Sequence, residues 1–445
     1  MSAGLGSLLD RERAGFADAH PRSRELHEQA RASLLAGVPM SWMTMWAGGH
    51  PIYLAEASGA SLVDVDGNEY ADFCLGDTGA MAGHSPEPTM AALRERAGIT
   101  AMLPTEDAAW VGEELGRRFG LPYWQFSLTA TDANRWLLRM CRQVTGRPRA
   151  LMFNWCYHGS VDEAFVTLGD DGVVRSRAGN VGPAVDPAQT TRLAEFNDID
   201  SVEAALAHGD VACVLMEPAL TNIGIVLPEP GFLEAVRAAC TRTGALLIVD
   251  ETHTLSAGPG GCTAAWRLEP DAVTLGKSIA GGVPIGAYGV TAELAERIAA
   301  EEDADYEDTG GVGGTLAGNA LSLAAARATL GDVLTDSAFA EMSSLCERFV
   351  AGVEETLERR SVPWSIVSLG ARAEYRFCPE PPRTGRESAL AADHEIEEYL
   401  HLYLINRGVL ITPFHNMALM CPATTPAQVD RHTQAFGAAV NELYA

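Results

Sequence analysis

The 445-residue chain carries 59 acidic against 32 basic residues, and its net charge of −27 disfavours nucleic acid and anionic membranes as partners. Its length exceeds the size at which a single core stops growing, and with 47% hydrophobic and 20% charged residues it reads as a globular chain of two packed domains. No run of about 18 apolar residues reads as a membrane span, the amino terminus has no apolar core of signal-peptide length, which sets a cytoplasmic expectation, and nine cysteines scattered without metal spacing argue against both disulfides and zinc.

In chain order, residues 22–36 (RSRELHEQARASLLA) have helical periodicity, and YLAEASGASLVDVDGNEYADFC reads as two strands joined by a turn at Asp66-Gly67. From about residue 105, helices alternate with short apolar runs: WVGEELGRRFG, RALMFNW, VACVLMEPA, FLEAVRAACTRTG, ALLIVDE and AVTLGK. Buried strands flanked by helices are the mark of a parallel sheet covered on both faces. The closing part is rich in helix, with SIVSLGARAEYRFCP and VLITPF as strands around the acidic helix ADHEIEEYLHLYLINRG. The resulting division is an amino-terminal segment at 1–75, a large domain at 76–320 and a small α+β domain at 321–445 that packs with the amino-terminal segment. Residues 166–190 and 379–393 are rich in loop formers and read as surface loops.

Four segments carry chemistry. In TATDANRWLLRM, small and hydroxyl residues open a helix, so Ala130 and Thr131 can present backbone amides and a hydroxyl to a phosphate. A plain N-capped helix, with Thr129, Thr131 or Asp132 as cap, satisfies the same pattern. Tyr157, His158 and Gly159 follow a strand, where an aromatic can stack on a flat ring and glycine permits close approach; a packed Tyr/His pair is the other reading. Asp250 closes the strand ALLIVD, where ligands bind in open α/β sheets, although a DE pair also serves as a helix cap.

Lys277 is the most informative residue. A lone lysine is ordinarily a solvated charge, but this one sits between VTLG and SIAGG in a long uncharged stretch, 27 positions (277 − 250) after Asp250. That arrangement fits a lysine holding an aldehyde cofactor as a Schiff base, with Asp250 keeping the pyridine nitrogen protonated. The chain reads as a pyridoxal 5′-phosphate enzyme in which the freed lysine amine moves the substrate proton.

Taken together and in this order, the segments resemble the class III, fold-type I pyridoxal-phosphate aminotransferases. CYHG, EPALTNIGIVLPEPGFLEAVRAACTRTGALLIVDE, TLGKSIAGGVPIGAYG and GGTLAGN are most similar to the glutamate-1-semialdehyde aminomutase-like branch. The resemblance implies a large domain with a mainly parallel, seven-stranded-type sheet covered by helices. It makes Lys277 the Schiff-base lysine, Asp250 the pyridine partner, Tyr157 the stacking aromatic beside His158, and Ala130 with Thr131 the phosphate pair. It makes Thr315 the threonine that reaches the phosphate of a neighbouring subunit, which implies a homodimer with shared active sites; whether dimers pair into a tetramer is not read from the sequence. Glu217 and Asn222 match as supporting residues.

The departures bear on the substrate. The branch's SGTEA is here TATDA, and its DEVMT is DETHT, which places Thr252 where a valine covers the ring and His253 where the methionine stands. Where the aminomutases carry a carboxylate-binding arginine, GVPMSWMTMW supplies Met43 with Trp42 and Trp46 nearby. In TPFHNMALM, Phe414 stands where β-amino-acid aminotransferases have an arginine, and Asn416 where aminomutases have a glutamate. With Asp77 and Thr78, these residues form the expected substrate pocket, and Arg372 is the remaining candidate carboxylate anchor. A bidentate guanidinium is the usual grip on a carboxylate, so its loss favours an amine aminotransferase passing nitrogen from an amine donor to a keto acid such as pyruvate. The alternative is a glutamate-1-semialdehyde aminomutase or a (β-)amino-acid aminotransferase.

Overall fold

The computed structural model describes residues 2–300 and 311–445. Two compact units emerge, one comprising Met1–Pro86, Ser337–Pro381 and Ala391–Ala445, the other Glu87–Asp336 and Pro382–Leu390. The breaks at 86 and 336 fall later than the 75 and 320 read from composition.

The second unit is built on a seven-stranded sheet in the order Tyr123–Ser127, Gly286–Val290, Ala272–Leu275, Leu246–Asp250, Val211–Met216, Arg149–Phe153, Thr191–Ala194. Gly286–Val290 runs antiparallel to both of its neighbours, and every other pairing is parallel. All residues of Val211–Met216 and Leu246–Asp250 are buried, as expected of strands covered on both faces. Phe153 at a strand end, Phe196 in the turn after Thr191–Ala194 and Phe232 at the start of the helix Phe232–Thr243 cluster with ring centroids 5.0 to 5.9 Å apart. Asp250 pairs with Thr274 in register, so Asp250 and the segment leading to Lys277 leave the sheet at the same carboxyl-terminal edge, where open α/β sheets bind their ligands.

The first unit holds a four-stranded sheet, Leu54–Ser58, Ser61–Asp64, Glu69–Asp72 and Val409–Leu410, and a three-stranded sheet, Ser365–Leu369, Arg372–Arg376 and Met417–Leu419. Its core packs Phe73, Phe349 and Phe436 around the fully buried His432. Eight of the nine cysteines are buried, and Cys378 is partly exposed. Among the described residues no helix is long and apolar enough to cross a membrane.

Several local expectations are corrected. The segment 53–74 forms three strands, because Gly59-Ala60 makes a second reversal ahead of the one at Asp66-Gly67. The helix begun at Pro21 stops at Ala30, and a further helix, Ser2–Ala19, precedes it. SIVSLGARAEYRFCP is a hairpin turning at Gly370 (φ +59°). VLITPF contributes only the two-residue strand Val409–Leu410. The loop expected at 166–190 contains the hairpin Val166–Leu168/Val174–Ser176, and that at 379–393 contains the helix Gly385–Leu390, where Gly385 donates its amide to Glu195.

Candidate active site

The strand Tyr123–Ser127 delivers Thr129 in extended conformation (φ −143°, ψ 160°), from which the helix Ala130–Thr145 begins. The Thr129 hydroxyl accepts the Asp132 amide at 3.2 Å, so Thr129 is the cap and the amides of Ala130 and Thr131 stand at the open end of the helix. Two glycines let neighbouring backbone press against this end. A Cβ on Gly159, whose φ is +73°, would lie 1.9 Å from the Thr131 hydroxyl, and one on Gly276 would lie 2.8 Å from Ala130 Cβ and 3.1 Å from its nitrogen. The Thr131 hydroxyl accepts the Ser160 amide at 3.2 Å. The segments carrying His158 and Lys277 therefore converge on one helix N-terminus, a ready anion site.

Asp250 is buried at its strand end. One carboxylate oxygen accepts from Asn134 (2.8 Å) and His158 Nδ1 (2.9 Å), the other from the Thr252 amide (3.0 Å). Asn134 is held in turn by the Thr274 hydroxyl at 2.8 Å. Burial alone would raise the Asp250 carboxyl, but the hydrogen bond and charge of His158, aided by Thr252 and Asn134, outweigh it and hold the carboxyl below its ordinary value. Burial opposes charge on His158 as well, yet Cys156 and Asp250 outweigh it and raise the imidazole. Both shifts run in the direction of a charged pair, with the carboxylate at the end of the sheet.

Lys277 opens the short helix Lys277–Ala280 in the left-handed region (φ +52°), a conformation that costs a non-glycine residue about 1 kcal/mol and recurs at functional sites. Its Nζ lies 2.5 Å from His253 Nε2. His253 Nδ1 is 3.0 Å from the Thr221 hydroxyl, which donates to Glu217 at 2.5 Å. The other Glu217 oxygen accepts the Tyr157 amide at 3.1 Å. Burial raises the Glu217 carboxyl above its ordinary value.

The second unit thus gathers Ala130, Thr131, Tyr157, His158, Glu217, Asp250, Thr252, His253 and Lys277. Tyr157 is 38% exposed, and Thr315 lies exposed in a turn. The remaining candidates belong to the first unit. Trp42, on the turn Ser41–Met45, meets Phe414 edge to face with centroids 6.3 Å apart, while Met43 and Trp46 are partly exposed and Asn416 is fully buried. Asp77 and Thr78 sit in a loop in which Leu75, Asp77 and Thr78 all have positive φ, and the buried Arg372 guanidinium donates to the Thr78 hydroxyl.

A family model for class-III aminotransferases matches residues 44–440. The chain belongs to that family. This class-III aminotransferase is 32% identical over 435 residues to a glutamate-1-semialdehyde 2,1-aminomutase of Gemmatimonas aurantiaca, covering 95% of this chain and 98% of that one. Among solved structures, a glutamate-1-semialdehyde-aminomutase from Pseudomonas aeruginosa PAO1 is 48% identical with a TM-score of 0.97, covering 100% of this chain and 99% of that one. An omega-transaminase from Sphaerobacter thermophilus is 29% identical with a TM-score of 0.86, covering 95% and 98%. The fold is fold-type I and the cofactor is pyridoxal 5′-phosphate. The residues of the second unit fit that group: an amide-lined helix end cleared by glycines for the phosphate, a charged carboxylate for the ring nitrogen, and an amine.

The sequence reading missed Asn134 and Thr221. Asn134 lies one helical turn after Ala130, and Thr221 lies between Glu217 and Asn222, two residues singled out as supporting; in each case position on a shared face or turn is the signal that was available.

Proposed function

We propose that this class-III aminotransferase acts as an aminomutase of the glutamate-1-semialdehyde type, moving an amino group between adjacent carbons of a small carboxylate-bearing substrate. The observation that carries this reading is the likeness to the Pseudomonas aeruginosa protein over the whole chain, joined by the Gemmatimonas relative of the same name. It favours the alternative named above over the amine aminotransferase.

When bound, the cofactor supplies an aldehyde that condenses with amines and a ring that withdraws electrons from the carbon losing its proton. Lys277 is the residue proposed to hold the aldehyde and, once released, to carry the proton at Nζ. Asp250, paired with His158, would hold a positive ring nitrogen, and the amides of Ala130 and Thr131 would hold the phosphate. Tyr157 offers an aromatic face and Thr252 a small polar one. Arg372, the carboxylate anchor expected from the sequence, is buried within the first unit, where it donates to the Thr78 hydroxyl. We also carry forward a cytoplasmic homodimer: Thr315 is exposed on the protomer, as a residue serving a neighbouring site should be.

The second reading, an amine aminotransferase, is favoured by the Trp42–Phe414 contact, an aromatic pair drawn from the two segments where related enzymes carry carboxylate-binding residues. Absorption spectra of the holoenzyme separate the two. A change in the cofactor band with glutamate-1-semialdehyde, accompanied by formation of 5-aminolevulinate, supports the aminomutase. A band lost with 1-phenylethylamine and restored by pyruvate, with no response to the semialdehyde, overturns it in favour of the transaminase.

A further inference from the structure

The second unit holds a chain of contacts that the family resemblance does not account for. His253 and Thr252 stand in DETHT, where the branch has methionine and valine, so the imidazole against Lys277 belongs to this chain's own departures. From Lys277 Nζ the contacts run to His253 Nε2 at 2.5 Å, from His253 Nδ1 to the Thr221 hydroxyl at 3.0 Å, and from that hydroxyl to Glu217 Oε2 at 2.5 Å. Each of the three intermediate or terminal side chains is buried: His253 is 7% exposed, Thr221 1% and Glu217 4%. Glu217 is fixed at both oxygens, by the Tyr157 amide on one and the Thr221 amide, at 3.1 Å, on the other.

We propose that Lys277, His253, Thr221 and Glu217 form a proton relay, through which the lysine amine exchanges its proton with a buried carboxylate without passing through bulk water. The inference rests on the reading of Lys277 as the amine that moves the substrate proton. Starting from an ammonium on Lys277 and a carboxylate on Glu217, Nζ gives a proton to His253 Nε2. His253 Nδ1 gives its own proton to the Thr221 oxygen, and the Thr221 hydroxyl gives its original proton to Glu217 Oε2. One N–H bond is broken and one formed on the imidazole, one O–H bond is broken and one formed on the threonine, and the products are a neutral amine, the other neutral imidazole tautomer, an intact hydroxyl and a carboxylic acid. Both intermediate groups can donate and accept: imidazole and hydroxyl have both capacities, whereas a methionine at position 253 would offer only a weak acceptor and no proton to pass on. The burial that disfavours charge on Glu217 makes the protonated end of the relay accessible. An amine that must alternate between holding and releasing a proton gains a buried partner that resets it.

The test uses the apo-protein without substrate, so that its outcome is independent of which substrate is correct. Transfer along the chain is read as a rate: after a rapid pH jump, time-resolved infrared spectroscopy follows the protonated-carboxyl stretch of Glu217, identified by its loss in Glu217→Gln. With the relay, Thr221→Val slows the appearance of that band by about tenfold, since its methyl can neither accept nor donate a proton. Thr221→Ser behaves like the wild type. A band that appears in Thr221→Val at the wild-type rate, or a wild-type apo-protein with no protonated-carboxyl stretch, overturns the relay. Failure of the aminomutase reading would instead leave these rates intact while the semialdehyde goes unconverted.

Discussion

Gly159→Ala tests whether close backbone approach builds the cofactor cradle. The added Cβ would fall 1.9 Å from the Thr131 hydroxyl, 3.0 Å from its Cβ and 3.2 Å from its Cα, at φ +73°. A left-handed alanine costs about 1 kcal/mol. Displacing the Thr131 hydroxyl forfeits its hydrogen bond from Ser160, a further ~1 kcal/mol, for a total of about 2 kcal/mol. Gly231→Ala is the control: its φ is +86°, but nothing lies within 4 Å of the added carbon, so only the backbone cost of about 1 kcal/mol applies. The assay is urea denaturation of both variants, with fluorescence titration of the apo-proteins by pyridoxal 5′-phosphate. Gly159→Ala should be the less stable by about 1 kcal/mol and should bind the cofactor about tenfold more weakly, because the helix end proposed to receive the phosphate is displaced. Combining it with Thr131→Ala should cost little beyond Gly159→Ala alone, because the hydroxyl that is removed has already lost its bond from Ser160. Equal behaviour of the two glycine variants in both measurements would refute the reasoning.

Three further outcomes can be checked. Thr129→Ala removes the cap of the helix Ala130–Thr145 and should cost about 1 kcal/mol in urea denaturation while weakening cofactor binding if its amides hold the phosphate as proposed. Asp250→Asn leaves His158 buried without its anion and should cost about 3 kcal/mol at neutral pH. Because the folded His158 value is raised, its contribution is fully present below about 6.5 and lost as pH rises through the folded value, so the gap between wild type and Asp250→Asn in denaturation should narrow on the alkaline side. Burial pushes His432 down from 6.5 to about 3. A depressed imidazole has its stabilising contribution above 6.5 and loses it as pH falls toward 3, at about 1.4 kcal/mol per pH unit. His432→Phe, which keeps a ring among Phe73, Phe349 and Phe436, should therefore lose about 2 kcal/mol less than the wild type between pH 6.5 and 5, as read from paired urea curves.

Four strands of the large sheet, Arg149–Phe153, Val211–Met216, Leu246–Asp250 and Ala272–Leu275, were legible because each is a short apolar run between helical stretches, whereas Tyr123–Ser127, Thr191–Ala194, Gly286–Val290 and the order of the sheet were not read. Val211–Met216 and Leu246–Asp250 are buried along their whole length, so periodicity and length agree. The short pieces were less legible. Gly59-Ala60 and Gly370-Ala371 each reverse the chain inside a run of uniform composition, and a two-residue strand such as Val409–Leu410 is defined by its partner, the strand Glu69–Asp72, more than 300 residues away in sequence. In the site, Asp250 and Lys277 stood out because charge is unexpected at a strand end or in an apolar run. Asn134 did not, since an asparagine in a helix carries no mark of the carboxylate it will meet. His253 was read as a polar intrusion into the pocket, but its link through Thr221 to Glu217 depends on two turns folding against each other, which spacing does not encode.

The burial of eight thiols gives this protein a built-in record of its own opening. Cys141, Cys156, Cys213, Cys240 and Cys262 lie in the second unit, and Cys74, Cys346 and Cys421 in the first. A thiol sheltered in the native state reacts with an alkylating reagent only when its surroundings open, at a rate set by the free energy of that opening. Pulsed alkylation followed by peptide mapping would thus time the loosening of each unit separately in a single unmodified sample, with the partly exposed Cys378 as the internal reference for reagent strength.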